Sequence, residues 1–157
     1  MRVGFGFDAH RTGGGGPLKL AGIEVAADRG LIGTSDADVA VHALIDALLG
    51  AAALGDIGTY FPSSDPRWEG ADSLDLLRVV VATVGSAGYQ VGSVDLTVVA
   101  QNVQVAPHRD AMRSCLAEVL GLPIDSVSVK ATTTDALGFL GRDEGIGATA
   151  VAVIWPA

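Results

Sequence analysis

Cysteine is nearly absent: Cys115 is the only one in 157 residues. A disulfide framework within the chain is thereby excluded. The thiol falls on the apolar side of a predicted helix, as a buried structural group suited to a reducing compartment. Cations are also scarce. Ten Lys and Arg stand against eighteen Asp and Glu, a formal charge of −8, which argues against nucleic acid as a partner, because its backbone calls for clustered positive charge. An anionic ligand would need bound cations or helix N-termini to help neutralise it. No uninterrupted apolar run reaches the ~18 residues of a membrane span, and no basic segment leads into an apolar one at the start. A soluble, cytoplasmic protein with no membrane partner is expected. Charged residues are only 18% against 49% apolar, so the chain is ordered and has either an unusually uncharged surface or a large buried interface. At this length one domain, 1–157, with a two-layer core is expected.

What the chain does have is glycine, twenty-one in all, marking turns and close approaches of backbone to ligand. It also has one long apolar stretch, residues 34–58, TSDADVAVHALIDALLGAAALGDIG. Ser35 followed by Asp38 has capping-box spacing, which predicts a helix starting at about Asp36. From Ala37 to Leu54 nearly every side chain is apolar, as in a helix buried on most sides. Asp38, His42 and Asp46 are the exceptions, spaced i, i+4, i+8 on one face. Buried charges are costly unless paired or metal-bound, so this stripe directs the search for partners.

Around that helix, residues 2–8 read as a strand with Val3, Phe5 and Phe7 on one face. Gly4, Gly6, Asp8 and, if the strand continues, His10 take the other. The TGGGGP run at 12–17 reads as a flexible turn before a hairpin over 18–26, and Arg29–Thr34 as a loop delivering the helix. Residues 55–70 read as a long irregular binding loop. A second helix is predicted over 73–87, buried through Leu74, Leu77, Val81 and Val84. A strand is predicted over 91–100 and a third helix over 108–120, closed by Gly121. Val127, Val129 and Ala131 mark another strand, 138–147 a glycine-bearing loop, and 149–155 the closing strand. The order implies an α/β two-layer sandwich, a mixed sheet with helices over one face. Nothing in the chain is left to cover the other face, which favours a closed cyclic oligomer.

Asp8 and His10 share a strand face, and His42 lies on the helix. Zinc is held by imidazole nitrogens and carboxylate oxygens at roughly 2.0–2.2 Å, with one tetrahedral position open in catalytic sites. Such an open position could polarise a phosphoryl oxygen. Asp46, one turn beyond His42, could hold the other imidazole nitrogen or orient nearby groups. Spacing alone leaves a second reading open: solvated residues at a strand end, and a hydrogen-bonded core histidine. Asp38 likewise also reads as a plain helix cap.

These residues carry a resemblance. GFGFDAH (4–10), SDADVAVHALIDALLGAAALGDIG (35–58), FPSSDP (61–66), PH (107–108), KATTTD (130–135) and GFLGRDEGI (138–146) resemble, in this order and over nearly the whole chain, the 2-C-methyl-D-erythritol 2,4-cyclodiphosphate synthase family of the non-mevalonate isoprenoid pathway. The resemblance implies a homotrimer with sheets around the threefold axis and active sites between subunits. It implies attack of the 2-phosphate of 4-diphosphocytidyl-2-C-methyl-D-erythritol 2-phosphate on the β-phosphorus, with release of CMP. By the same resemblance Asp8, His10 and His42 hold zinc, and Asp135 holds magnesium or manganese. Thr132 and Thr133 meet the cytidine and its phosphates, Thr133 with a catalytic part. Ala100 and Ala131, with Gln104, Val105 and Ala106, form the cytosine pocket. Asp56 and Gly58 meet the ribose hydroxyls, and Phe61 covers the methylerythritol. Thr34, Ser35, Ser63, Asp65, Phe139 and Arg142 complete the substrate contacts. Arg142 and Glu144 pair near the axis, where an isoprenoid diphosphate could bind.

Four positions depart from the family pattern, which usually has histidine at Thr34, aspartate at Ser63, lysine at Gln104 and glutamate at Asp135. Two of these, Thr34 and Ser63, fall where the methylerythritol phosphate end is gripped. The departures keep two other readings in view: a diverged relative acting on another CDP-linked substrate, and a non-catalytic trimer binding a nucleotide or prenyl diphosphate.

Overall fold

Two glycines decide how the layers meet. Strand β1 (Arg2–Gly14) puts Gly4 and Gly6 on its buried side and Val3, Phe5 and Phe7 on its exposed side. Helix α1 (Val39–Ala52) lies directly on the glycine side. A Cβ on Gly4 would overlap the Ala47 carbonyl oxygen and come within 2.6 Å of Ala51 N, and one on Gly6 would overlap the Ala43 carbonyl oxygen and come within 2.8 Å of Ala47 N. Strand backbone and helix backbone are therefore in contact, with no side chain between them on the strand side. Two residues further along the same face comes Asp8, and after it His10, opposite the turn of α1 that carries His42.

The sheet is built outward from β1. It pairs along its length with antiparallel β7 (Gly145–Pro156), from Arg2 opposite Ile154 to Arg11 opposite Gly145. On the other side of β7 come antiparallel β5 (Tyr89–Val99) and then β6 (Val127–Thr132), which is parallel to β5. A short β4 (Gly30–Leu31) flanks the far end of β1, giving the order β4-β1-β7-β5-β6. A hairpin of β2 (Leu18–Leu20) and β3 (Ile23–Ala26) stands apart. Helix α4 (Arg109–Leu120) connects the parallel pair, and α3 (Ser73–Ser86) packs beside α1. The computed structural model describes residues 1–157.

The core follows from the alternation. Ile146, Ala148, Ala150, Ala152 and Ile154 of β7 and Val94, Leu96 and Val98 of β5 face the helices, and all belong to a cluster of 35 buried residues. This is the expected mixed sheet with its helices on one face. The other face keeps Phe5 and Phe7 65% and 54% exposed, with Val151 and Trp155 beside them. No helix is long and apolar enough to cross a membrane.

Several local expectations change. Helix α1 starts at Val39, because Asp38 is its N-cap, accepting from Val41 N. Its carboxylate also accepts from Ala21 N at 2.9 Å and Gly22 N at 2.7 Å, so it ties the β2–β3 turn to the helix start. The TGGGGP run is not a free turn: β1 continues to Gly14 and pairs with Gly30. Residues 55–70 contain helix α2 (Ile57–Tyr60), capped by Asp56, and a 3₁₀ turn over Pro66–Trp68. A one-turn helix, α5 (Gly138–Gly141), and the start of β7 replace most of the loop at 138–147. The buried stripe of α3 runs through Leu76, Leu77, Val80 and Val84, leaving Leu74 and Val81 half-buried. Of the three residues that mark β6, Val127 and Val129 are buried and Ala131 is exposed. Cys115 is half-buried, not buried, because it sits at the edge of α4 where the β2–β3 turn covers only part of it.

The strand–helix contact gives a direct test. Gly6→Ala forces a methyl into backbone that cannot step aside, and overpacking of this kind costs typically 1–3 kcal/mol, more where the obstacle is rigid. Denaturant unfolding should show a loss of about 3 kcal/mol, and a variant within about 0.5 kcal/mol of the parent would contradict the close packing.

Candidate functional site

At the end of the glycine stretch three ligand-type atoms converge. Asp8 Oδ2 is 2.8 Å from His10 Nε2 and 3.1 Å from His42 Nδ1, and the two nitrogens are 3.1 Å apart. Ligand atoms about 2.1 Å from one ion at tetrahedral angles stand roughly 3.4 Å apart. The triangle is thus a few tenths of an ångström from the size a metal ion needs. Asp8 and His10 are half-buried and His42 is buried. Of the two sequence readings, the structure brings about the converging one.

The outer nitrogens explain why the inner ones point inward. His10 Nδ1–H donates to the Ile32 carbonyl at 2.8 Å, leaving Nε2 for the centre. His42 Nε2 lies 3.0 Å from both Ser35 Oγ and Ser73 Oγ, leaving Nδ1 for the centre. Two bare imidazole nitrogens and a carboxylate oxygen facing one another repel unless a positive charge sits among them. Protons can supply it. The hydrogen bond to Asp8 raises the His10 pKa above the usual imidazole value, with burial opposing and the Ile32 carbonyl assisting. Burial pushes the Asp8 carboxyl up, but hydrogen bonds and charge from both rings outweigh it and hold it well below the usual carboxylate range. A divalent cation fits the same place better, since it satisfies all three atoms at once.

Asp46 does not hold His42. Its Oδ1 accepts from Ile57 N at 2.7 Å, so it fixes the start of α2, while the Ser35 and Ser73 hydroxyls meet the imidazole instead. Burial pushes its carboxyl up, against the opposing Ile57 bond.

The remaining residues singled out in the sequence divide into groups. A cavity of about 250 Å³ over the triad is lined by Thr34, Ser35, Gly58, Phe61 and Ser63 together with Asp8, His10 and His42. Phe61 meets Trp68 edge-on with centroids 5.0 Å apart, and the two rings form its wall. Asp65 lies in an adjoining polar cavity with Thr34 and Ser63, its carboxylate held by Arg67. A separate cavity of about 320 Å³ is lined by Ala100, Gln104, Val105, Ala106, Ala131, Thr132 and Thr133, and it shares no residue with the first. Asp56 spends one carboxylate oxygen on the backbone and hydroxyl of Thr59. Asp135, exposed and left-handed at φ 54°, makes no side-chain hydrogen bond or ion pair, and Thr133 Oγ1 accepts from its backbone N–H. Phe139 lies in a fourth cavity, at the far end of the triad strand, with His10 and Arg11. Arg142 is paired with Glu144 at 2.8 Å, as the sequence suggested.

Sequence reasoning missed Ser73, Ile32, Trp68 and Leu76. The first two meet the imidazoles and the last two line the triad cavity. Ser73 looked like any first-turn helix residue, and Ile32 contributes only its carbonyl.

With this geometry in hand, the comparisons with known proteins are specific. The model of the YgbB family matches residues 1–155. A 2-C-methyl-D-erythritol 2,4-cyclodiphosphate synthase of Pseudomonas paraeruginosa is 56% identical over 154 residues, covering 98% of each chain. Among solved structures, the bifunctional IspDF protein of Campylobacter jejuni superposes with a TM-score of 0.97 at 39% identity, over 99% of this chain. This chain spans only 42% of that longer protein. A 2C-methyl-D-erythritol-2,4-cyclodiphosphate synthase solved with CDP bound gives a TM-score of 0.89 at 36% identity, over 98% of this chain and 100% of that one.

A bound ion must compete with a proton for His10 Nε2, and the hydrogen bond to Asp8 strengthens the proton's hold. Metal affinity should therefore fall as pH drops through the raised His10 pKa, by about tenfold per pH unit for each proton displaced. His42→Ala should lose the metal while its far-UV circular dichroism stays unchanged, and elemental analysis finding equal metal in variant and parent would contradict the site.

Proposed function

The chain belongs to the YgbB family, and on that premise we propose that it is a metal-dependent, CMP-releasing lyase: a 2-C-methyl-D-erythritol 2,4-cyclodiphosphate synthase. The observation that carries the reading is the convergence of Asp8, His10 and His42 beneath a cavity lined by hydroxyls. In the reaction an oxygen of the 2-phosphate forms a bond to the β-phosphorus of 4-diphosphocytidyl-2-C-methyl-D-erythritol 2-phosphate. The bond from that phosphorus to the bridging oxygen breaks, the ring closes and CMP leaves. A relative solved with CDP supports a CDP-linked substrate.

The donor sets argue for particular cations. Two imidazole nitrogens and one carboxylate oxygen suit zinc, and the unpaired Asp135 carboxylate suits magnesium or manganese. When bound, such ions supply positive charge to phosphoryl oxygens at a site whose own side chains are mostly neutral or acidic. The chain's residues do the positioning. Small side chains at Ala100 and Ala131 leave backbone near Val105 and Ala106 free to read the cytosine. Thr132 and Thr133 supply hydroxyls to the nucleotide phosphates, and Asp56 and Gly58 take the ribose. The Phe61 and Trp68 wall excludes water from the polyol, while Thr34, Ser35 and Ser63 hydrogen-bond its phosphate end. Holding two anionic groups in line is most of the catalytic task here.

The assembly in this reading is a homotrimer. Support comes from the exposed Val3, Phe5 and Phe7 on the uncovered sheet face, and from the two cavities that share no residue. Three copies around an axis would bring the triad cavity of one against the nucleotide cavity of the next. Arg142 and Glu144 would lie near that axis, with an isoprenoid diphosphate as ligand of the axial cavity. A cytoplasmic location completes the reading, supported by a lone cysteine without a disulfide.

Purified protein given the named substrate with Zn²⁺ and Mg²⁺ should release CMP. A neutral hydrogen bond from Thr34 is worth about 1 kcal/mol less than one from a charged histidine. Thr34→His with Ser63→Asp should accordingly raise kcat/KM by about tenfold at most. Absence of CMP from the parent, with a slower double variant, would shift the assignment to another CDP-linked substrate or to a non-catalytic nucleotide-binding trimer.

A further inference from the structure

Behind His42 lies a chain of polar groups that reaches away from the triad. His42 Nε2 is 3.0 Å from Ser73 Oγ, and Ser73 Oγ in turn makes a short hydrogen bond to Asp36 Oδ1. Ser73 is fully buried, so no water shares its hydroxyl. Asp36 is held from three further directions: Ser73 N and Asp38 N donate to its oxygens at 3.3 Å, and Lys19 Nζ lies 3.5 Å from Oδ2.

Proton accounting gives this chain a direction. A carboxylate only accepts, and a serine hydroxyl has one proton to give. Ser73 must therefore donate to Asp36, which leaves its oxygen lone pairs for His42. The imidazole must then carry its proton on Nε2 and donate it to Ser73. In a neutral ring the other nitrogen, Nδ1, is bare, and Nδ1 is the atom that faces Asp8 and His10. Ser35 Oγ lies at the same distance from Nε2 but has no carboxylate behind it, and it accepts from Ala37 N at 3.3 Å. Its proton is not committed, so it could donate or accept. Only the Ser73 branch fixes the answer.

We propose that Ser73 and Asp36 are positioning residues that set the tautomer of His42, so that its Nδ1 is presented as a ligand. The assignment rests on the metal reading of Asp8, His10 and His42. Ser73 touches neither substrate nor ion in this account and acts through the imidazole. Partners of this kind, when removed, typically weaken metal affinity 10- to 100-fold.

The test uses the full-length protein and Zn²⁺ alone, by competition with a chromophoric chelator. Ser73→Ala should bind Zn²⁺ 10- to 100-fold more weakly, with the thermal midpoint of the metal-free protein little changed. Asp36→Ala, which leaves the hydroxyl but frees its proton, should weaken binding several-fold, and the double variant should be no worse than twofold beyond Ser73→Ala. If Ser73→Ala cannot be obtained folded, Asp36→Ala decides. Zn²⁺ affinity within twofold of the parent in the variants, while His42→Ala abolishes binding, would overturn the relay and leave the metal site standing. A parent that takes up no Zn²⁺ would overturn both.

Discussion

Backbone-to-backbone contact between Gly4–Gly6 of β1 and Ala43–Ala47 of α1 sets the distances on which the site depends. A strand side chain of ordinary size would hold the helix farther off. Asp8 and His10 could not then come within 3.1 Å of His42, because their reach is fixed by short side chains on a stiff strand. The same contact explains an inversion in the sheet. Glycine occupies the covered side of β1, while phenylalanine occupies the open side, where Phe5 is 65% exposed. The apolar surface displaced from the interior is available for association, which is why the homotrimer reading and the metal reading lean on one structural feature.

Charge is the second constraint. The chain carries −8 overall, and of its lysines and arginines only Arg109 lines either of the two cavities that the proposed substrate would occupy, on the nucleotide side. Arg67 is committed to Asp65, and Arg142 to Glu144. Bound ions therefore bear most of the neutralisation in the proposed reaction, and residues that orient their ligands matter as much as residues that touch substrate. Departures at Thr34 and Gln104 press in the same direction, because each is neutral where the family pattern places a histidine or a lysine, whereas Ser63 stands for an aspartate and removes a negative charge.

Much of the architecture was legible in the sequence because burial imposes periodicity. Helices α1, α3 and α4 and strand β5 came through their apolar spacing, and the D-x-H pair with His42 came through the oddity of polar groups in an apolar helix. Which face of β1 is inside was not legible, since hydrophobicity alone points to the wrong one. Asp38 sat in the right stripe but serves as a cap and a tie to backbone 16 and 17 residues earlier, a tertiary partner that no local spacing encodes. Asp46 failed as a support for His42 for a related reason. Helical spacing says which side chains share a face, not which neighbour each will meet, and Asp46 met the start of α2 while Ser73 arrived from α3. Loop residues 55–70 and 138–147 hid short helices because one turn carries too little periodicity to read.

The position of a bound metal ion is the most direct test of the site. Anomalous scattering at the zinc edge, from crystals of the protein grown with Zn²⁺, would locate it without reference to activity. One peak per chain is expected, about 2.0–2.2 Å from Asp8 Oδ2, His10 Nε2 and His42 Nδ1, with His42 Nε2 still against Ser73. A peak coordinated through His42 Nε2, or none at the triad, would contradict it.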